Sequence, residues 1–500
     1  MAAPIMGSTA QGGGASGGKT GIVLALAFAV FFLLGGVTNI NDLLVGKFKP
    51  MFHLSHTEAN FVQLFFFFAY AAFSIPAGII LSKLGYIRTF VLGFVIIAAA
   101  AFLFIPASAA ASFPGFLAAL FCIGAGITVL QVAMNPVITT LGPVETSHSR
   151  LTFAQAFNSI GVFLMIYGGA SFLLGNSTPI DAEQASEAQL QAYRVAEGAS
   201  IGTAYMWLGV LMLAIAALFW TFRSALDHAK TEEVKLEGTW GLFMHNRRVQ
   251  LGALGIFTYV GAEVAIGSNL MAYLGDISVM GLGLEAAGKL VAMYWLGALA
   301  GRLLGGFILR ASLIKMPLIV LSLVGLGASL VNLVFEPSWA ALAGLTGLAG
   351  LLYGVFLAID KLETLLKIQQ TEAVKPGKIL AAFAAGAIGL ILISAISTGA
   401  VSGWALIFVG FFNSLMFPTI FSLGTEGLGE QTPQGSGILC TAIVGGAIVP
   451  VLFGLVADTT GNLRMALIVP IVCYAIIALF GLWSVRNPST GTGATAPVYD

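Results

Sequence analysis

The sequence predicts an all-α polytopic membrane protein with about 14 membrane helices, since a spanning helix needs roughly 20 apolar residues. Of the 500 residues, 58% are hydrophobic and 9% are charged, whereas a soluble domain carries about 25% charged residues. The 62 glycines and 37 phenylalanines suit helices that pack closely in a bilayer. The body of the chain is therefore expected to be surrounded by lipid.

The titratable and nucleophilic residues argue against several other classes of protein. Lys plus Arg and Asp plus Glu both total 22, so the charge balance indicates no nucleic-acid partner. Cys122, Cys440 and Cys473 lie inside apolar runs without metal-ligand or CxxC spacing, and we interpret them as core residues. The five histidines fall in predicted loops or at helix ends, and no catalytic triad is visible. The sequence predicts no enzyme, cofactor or metal site.

The elements follow in order from the apolar runs. Residues 1–20 are rich in Gly, Ala and Ser and predict a flexible cytoplasmic tail. The next apolar run is longer than the core of a signal peptide and lacks a clear cleavage pattern, so we interpret it as a retained membrane helix. The predicted spans lie near 21–45, 58–82, 87–107, 112–141, 150–174, 201–223, 250–275, 285–309, 316–335, 339–359, 378–398, 402–424, 434–457 and 465–485.

The distribution of Lys and Arg predicts the orientation. With a cytoplasmic N-terminus, five of the 22 basic residues fall in outer loops or at outer helix ends, and the other 17 face the cytoplasm. The five outer residues are Lys47, Lys49, Arg194, Lys289 and Arg464. An even number of spans places both termini on one side, so we expect a multi-pass protein of the cell (inner) membrane with both termini cytoplasmic.

A polar segment at 224–249 divides the chain after six predicted helices. We expect an N-terminal half at 21–223, this cytoplasmic linker, a C-terminal half at 250–485 and a cytoplasmic tail at 486–500. The loop at 176–200 is acidic and is predicted to be external.

Weak internal repeats predict that the halves are pseudo-symmetric. The motif at 134–142 returns at 416–424, 282 positions later, with five matches. Asp42 precedes a glycine by four residues, and so does Glu263, 221 positions later. The offsets differ by 61 residues, about the length of two helices with their loops. A six-helix repeat interrupted by an inserted helix pair at about 311–374 explains both offsets, and repeated halves around a central site are a known transporter plan.

Asp42 and Glu263 are acidic residues inside predicted membrane helices, at corresponding places in the two halves. A charge at a helix centre costs roughly 2.5–3.5 kcal/mol on insertion scales. A buried carboxylate without a fixed basic partner is well suited to accept a proton, so we interpret both residues as proton-coupling. A structural pair, or a helix end exposed to the cytosol, is the alternative.

Further polar and aromatic side chains in the predicted helices suit a sugar. Amides both donate and accept hydrogen bonds, as ring hydroxyls require, and aromatic rings can stack on the apolar face of a sugar. The candidates are Asn39, Gln131, Asn135, Gln155, Asn158, Asn413, Tyr259, Tyr294 and Trp295. Hydrogen bonding between helices and ordinary packing are the alternatives. Pro136 and Pro418 favour helix kinks.

Eight motifs across both halves are specific when taken together. They are Asn39–Asp42, Pro76–Tyr86, Asn135–Pro143, Arg150–Asn158, Tyr259–Gly267, Tyr294–Arg302, Phe412–Phe421 and Ala442–Gly446. This set resembles the fucose/galactose/glucose–proton symporter family of the major facilitator superfamily. The resemblance implies a twelve-helix core, alternating access and import of a hexose with a cation. It also implies that Asp42 belongs to the proton and sugar site, and that Gln131, Asn135, Gln155 and Asn158 line or support the cavity.

The chain departs from the fucose-type pattern at three places. Fucose-type members carry glutamate at the position of Gln131 and glutamine at that of Glu263, so this pair is more similar to the glucose/galactose branch. Ser82 stands where the wider superfamily usually has Asp. The region 310–375 has no counterpart in the twelve-helix plan of the family.

The prediction is therefore proton-coupled import of a hexose of the glucose/galactose type across the lipid bilayer. Sodium coupling and an L-fucose-type substrate remain open alternatives, because carboxylates and amides also ligate sodium. An exporter of drugs or metabolites is less favoured, since its pocket is expected to be more uniformly apolar. The sequence does not decide which hexose is carried.

Overall fold

A computed structural model describes residues 16–140, 147–174, 186–222, 239–308, 375–428 and 431–488. These residues form α-helices, one short 3₁₀ helix and their connections. The helices of the first half are α1 (Ser16–Asn39), α2 (Asn41–Phe52), α3 (His56–Ala59), α4 (Phe61–Leu84), α5 (Tyr86–Phe102), α6 (Phe104–Ala109), α7 (Phe113–Thr140), α8 (Ser147–Leu174) and α9 (Glu187–Thr221).

The described helices after the predicted linker region begin with a short segment at 239. They are α10 (Thr239–His245), α11 (Arg247–Gly275), α12 (Leu284–Ile308), α13 (Pro376–Ile396), α14 (Gly399–Asn413), α15 (Met416–Thr425), α16 (Thr432–Thr441), the 3₁₀ helix Ala442–Val444, α17 (Gly445–Thr460), α18 (Leu463–Ala466) and α19 (Ile468–Arg486).

Several short helices follow one another end to end and form one longer helical segment, which we call a rod. The predicted all-α polytopic fold is confirmed. Within the described ranges, eleven rods are long and apolar enough to cross a membrane. In addition, the 25-residue helix α12 lies at a predicted span and packs against α8 and α14. Each rod coincides with a predicted span. The spans predicted at 316–335 and 339–359, within the expected insertion, lie outside the described residues, so the count of about 14 helices is not confirmed.

The pairs of helices in contact repeat between the two halves. In the first half α1 packs on α8, α4 and α5 on α7, and α5 on α9. In the second half the corresponding contacts are α11 on α17, α12 and α13 on α14, and α13 on α19. The halves meet where α2 contacts α11, α4 contacts α17 and α8 contacts α12. The pseudo-symmetry indicated by the weak sequence repeat is thus a property of the packing.

Two rods are interrupted close to predicted site residues. The first breaks at Ile40, between α1 and α2, where Leu43 N–H bonds back to the Ile40 carbonyl at 3.1 Å instead of continuing the ladder. The second breaks at Ser414 and Leu415, between α14 and α15. Pro418 accounts for this break, because proline lacks an N–H and its ring clashes with the carbonyl four residues earlier, here that of Ser414. Helix α7 runs through Pro136 without a break.

The prediction of an external loop at 176–200 is wrong for residues 187–200, which are helical. Helix α9 begins at Glu187, and Ser186 and Gln189 form a reciprocal capping box at its start. The first turns of this helix are polar, so hydropathy alone placed the helix start near 201. The extension carries Glu197, which forms a buried ion pair with Lys47 at 2.5 Å. Lys47, expected at an outer helix end, is only 4% exposed and also donates to the Leu173 carbonyl at 2.5 Å.

Glycines bring the equivalent helices of each half into backbone contact. A Cβ on Gly161 of α8 would lie 1.8 Å from the Phe32 carbonyl oxygen of α1. In the second half, a Cβ on Gly445 of α17 would lie 1.9 Å from the Phe257 carbonyl oxygen of α11. Small residues at such crossings are what helix association in a bilayer requires.

Substituting Gly161 by alanine is expected to destabilise the first half by roughly 2 kcal/mol or more, because α1 and α8 must move apart. Gly168 on the same helix is the matched control, since a Cβ there meets no atom within 4 Å. Gly168→Ala should leave the apparent Tm of the purified protein unchanged or slightly raised. Equal thermal stability of the two variants in detergent would contradict the close-contact account.

Candidate functional site

Asp42 lies in the first turn of α2, two residues after the break, and is 3% exposed. Its Oδ1 accepts hydrogen bonds from Gln63 Nε2 at 3.0 Å and from Ser268 Oγ at 2.8 Å. Its Oδ2 accepts a hydrogen bond from Trp295 Nε1 at 3.0 Å. Four helices, α2, α4, α11 and α12, therefore meet at one carboxylate. Among the described residues, no Lys or Arg forms an ion pair with it.

The surroundings of Asp42 are tight and polar. Gln63 Nε2 also lies 2.7 Å from Ser268 Oγ, whereas Gln63 Oε1 is buried without a hydrogen-bond partner. A Cβ on Gly267 would lie 3.2 Å from Asp42 Oδ2. Glycine at this position lets α11 approach the carboxylate closely.

Glu263 is also buried, but its neighbours differ. Its Oε1 accepts a hydrogen bond from Tyr259 at 2.7 Å, and its backbone carbonyl accepts one from Tyr294 at 3.1 Å. The charge of Arg302 acts on Glu263, and Arg302 also donates to the Ser159 hydroxyl of the first half. Among the described residues no Lys or Arg forms an ion pair with Glu263. Arg302 lies 39 positions further along the chain, so local sequence gave no sign of this proximity.

Asn413 is fully buried and connects the tyrosines of the second half. Its Nδ2 donates to Tyr294 at 2.6 Å, and its Oδ1 accepts from Tyr474 at 2.6 Å. Its backbone carbonyl lies 3.0 Å from the Tyr259 hydroxyl. The structure thus brings Tyr259, Tyr294 and Asn413 together beside Glu263, in a network confined to α11, α12, α14 and α19.

The other predicted residues occupy different surroundings. Asn39 donates to the Gly35 carbonyl at 2.9 Å, and Asn158 donates to the Phe31 carbonyl of α1 at 3.1 Å. Both amides bind the backbone of α1 and support the packing there. Gln131 and Gln155 are half-buried. The side chain of Asn135 lies outside the described residues.

Sequence reasoning missed Gln63, Ser268 and Tyr474. Gln63 had a usable signal, because it is the one polar side chain in the run FVQLFFFF at the start of α4. Ser268 had only its position next to Gly267. Tyr474 lies in an otherwise ordinary apolar helix and gave no signal.

One end of the bundle is closed by contacts between the halves. We call it the α2–α3 end, because α2 turns into α3 there. The Asp458 carboxylate of α17 accepts from the His56 and Thr57 backbone N–H groups at 2.8 Å each, and from the Thr57 hydroxyl at 2.5 Å. The Asn60 and Asn269 amides exchange hydrogen bonds of 3.0 and 3.1 Å. These contacts lie near Asp42 and hold α3 and α4 against α11 and α17.

The comparisons identify a family. The Major Facilitator Superfamily model matches residues 20–359. The chain is 36% identical over 462 residues to the glucose/galactose transporter of Brucella abortus, covering 92% of this chain and 94% of that protein. It is 30% identical over 466 residues to the L-fucose-proton symporter of Escherichia coli, covering 92% of each. The resemblance predicted from the eight motifs is confirmed.

The fold is similar to solved transporter structures. The crystal structure of the transporter FucP in the outward conformation matches with a TM-score of 0.62 and 29% identity, covering 93% of this chain and 99% of that chain. An inward-facing bacterial homolog of the human lysosomal transporter Spinster matches with a TM-score of 0.62. At 13% identity, that likeness concerns the fold alone.

Removing the Asp458 carboxylate is expected to loosen the α2–α3 end, since three hydrogen bonds to α3 are lost. Asp458→Ala should shift the population toward a separated end by about tenfold. Spin labels at the exposed positions Ala110 and Met465 report the separation by pulsed electron resonance, after removal of the three native cysteines.

Asp276→Ala is the matched control for that measurement. Its carboxylate bonds to Ser278 within its own loop at 2.7 Å, so its loss should leave the label distances unchanged. If the distribution of distances between the two labels is the same in Asp458→Ala as in the parent protein, this carboxylate does not hold the α2–α3 end closed.

Proposed function

The chain belongs to the Major Facilitator Superfamily, and we propose that it is a secondary active transporter that imports a hexose of the glucose/galactose type by proton symport. The names of its relatives support the sugar class and the coupling ion. The single observation that carries the coupling is Asp42, a buried carboxylate that is contacted by both halves and has no ion-pair partner among the described residues.

The distribution of basic residues supports an orientation. The positive-inside rule places both termini in the cytoplasm and the α2–α3 end outside. In this orientation the Asp458 and Asn60 contacts close the outer side, in a bacterial-type inner membrane. We propose the predicted division as the working domain plan, with halves at 21–223 and 250–485, a linker at 224–249 and a helix pair inserted at about 311–374.

In the proposed cycle, Asp42 takes a proton from the outer side while the halves are apart at the α2–α3 end. Neutralisation lowers the cost of burying this carboxyl, and the halves then close around the bound sugar. The opposite end opens to the cytoplasm, and proton and sugar leave. One proton crossing 100 mV contributes roughly 2.3 kcal/mol, which is about fifty-fold in sugar accumulation.

The remaining predicted residues have separable roles in this proposal. The half-buried amides Gln131 and Gln155 are the groups we assign to sugar hydroxyls. We assign Glu263, in the second half, as a charged hydrogen-bond acceptor for a sugar hydroxyl. Tyr259 donates a hydrogen bond to it, and the positive charge of Arg302 acts on it.

Asp42→Asn is expected to abolish proton-driven accumulation and to retain sugar exchange, because the amide mimics the neutral carboxyl but cannot release a proton. Purified protein in liposomes, with radiolabelled galactose and glucose, measures both accumulation under an imposed pH gradient and counterflow without one. Asp276→Asn, an exposed loop carboxylate, is the matched control and should accumulate sugar like the parent.

Full proton-driven accumulation by Asp42→Asn would remove this residue from the coupling role. Accumulation by the parent that follows an imposed sodium gradient at fixed pH would replace the proton by sodium. A panel that includes L-fucose identifies the substrate within the sugar class.

A further inference from the structure

The donors around Asp42 come from both halves of the molecule. Gln63 belongs to the same half as Asp42, whereas Ser268 of α11 and Trp295 of α12 belong to the other half. An ionised carboxylate accepts hydrogen bonds only, and three donors on its two oxygens satisfy that form. Hydrogen bonds to a charged group are roughly twice as strong as neutral ones.

The three donors are not chemically equivalent. The Ser268 hydroxyl can rotate to donate or accept, and an amide carries both a donor and an acceptor. Gln63 Oε1 is buried and unpartnered, so a rotated Gln63 amide would present an acceptor to a protonated Asp42. Trp295 Nε1 is a donor only. With the proton on Oδ1, Oδ2 still accepts the indole N–H, but this hydrogen bond is weaker than one to a carboxylate, so Trp295 favours the ionised form.

The donors of the second half reach Asp42 because the α2–α3 end is closed. Ser268 is next to Asn269, which bonds to Asn60 across the same interface. When the halves separate at this end, as the proposed cycle requires, Asp42 keeps only Gln63 from the first half. The number of donors on the carboxylate therefore depends on the conformation of the protein.

We propose that Trp295 and Ser268 are positioning residues that couple closure of the α2–α3 end to proton release. This inference rests on the proposed function. Closure buries the protonated carboxyl and brings two donors of the second half onto it. These donors offset part of the cost of burying the anion, so the proton can pass from the carboxyl oxygen to water as the opposite end opens. In the separated state these donors are withdrawn, and Asp42 faces the outer side, from which it takes its proton.

The other charged groups on the helices around α2 do not provide this dependence. Glu263 of α11 is held by Tyr259 within the second half and forms no hydrogen bond with Asp42. Lys47 and Glu197 pair with each other, as do Lys289 and Glu285. The remaining described charged residues of α2 and its neighbouring helices form no hydrogen bond or ion pair with Asp42: Lys49, His56, Glu58, Lys83, Glu187, Arg194, Arg247, Arg248 and Arg302.

The test is the pH profile of galactose counterflow in liposomes. Trp295→Phe keeps an aromatic ring and loses the N–H, and Ser268→Ala loses the hydroxyl. With less stabilisation of the anion, the carrier keeps its proton to higher pH, so the midpoint at which counterflow declines should move up by about one pH unit for each variant. Trp404→Phe and Ser402→Ala are the matched controls in the second half, because neither side chain forms a hydrogen bond with Asp42, and both should keep the parent midpoint.

A second measurement separates coupling from a structural defect. In an Asp42→Asn background, adding Trp295→Phe or Ser268→Ala should produce no further change of the pH profile, because the titrating group is gone. A change that persists in that background would overturn the proposal, since the donors would then act through another group.

Two other outcomes are decisive. If both single variants decline at the same pH midpoint as the parent protein, and the parent shows proton-driven accumulation, this inference is overturned and the proposed function stands. A parent protein that shows no proton-driven accumulation would refute the proposed function itself. Gel filtration confirms that each variant is folded, and if Trp295→Phe is not, Ser268→Ala decides, because it probes the same carboxylate from a different helix.

Discussion

The structure depends on one contact, in which the Asp42 carboxylate receives hydrogen bonds from Gln63, Ser268 and Trp295. A charge buried in a membrane protein is costly unless it is satisfied. Here the satisfying groups lie on both sides of the interface between the halves. The hydrogen bonds of the carboxylate therefore hold the two halves together, and they offset part of the cost of burying its charge.

This contact requires accurate placement of four helices, and close packing within each half provides it. Gly161 places α1 directly against α8, and Gly445 places α11 directly against α17. The break at Ile40 ends the regular ladder of α1 just before Asp42. Halves whose helices pack closely through small residues can move as rigid bodies. The conformational change is then concentrated at the interface between the halves.

The sequence predicted the architecture well, because membrane helices are specified by local apolar composition. Twelve predicted spans coincide with helical rods, and Asp42 and Glu263 stood out as acidic residues in apolar surroundings. The local sequence pattern does not show which residues far apart in the chain contact each other. The partners of Lys47 and Asp42 lie 150 and up to 253 positions away, and the polar start of α9 had no apolar signal to reveal it.

The two carboxylates have corresponding places in the repeat and different environments. Glu263 is held by Tyr259 and by a network of Tyr294, Asn413 and Tyr474 that lies wholly within the second half. Motion of one half against the other leaves that network intact. Asp42 instead receives two of its three hydrogen bonds from the opposite half, and these are lost when the halves separate. The same repeat thus yields one carboxylate whose hydrogen bonds stay within one half and one whose hydrogen bonds cross the interface, and the latter links proton binding directly to the movement of the halves.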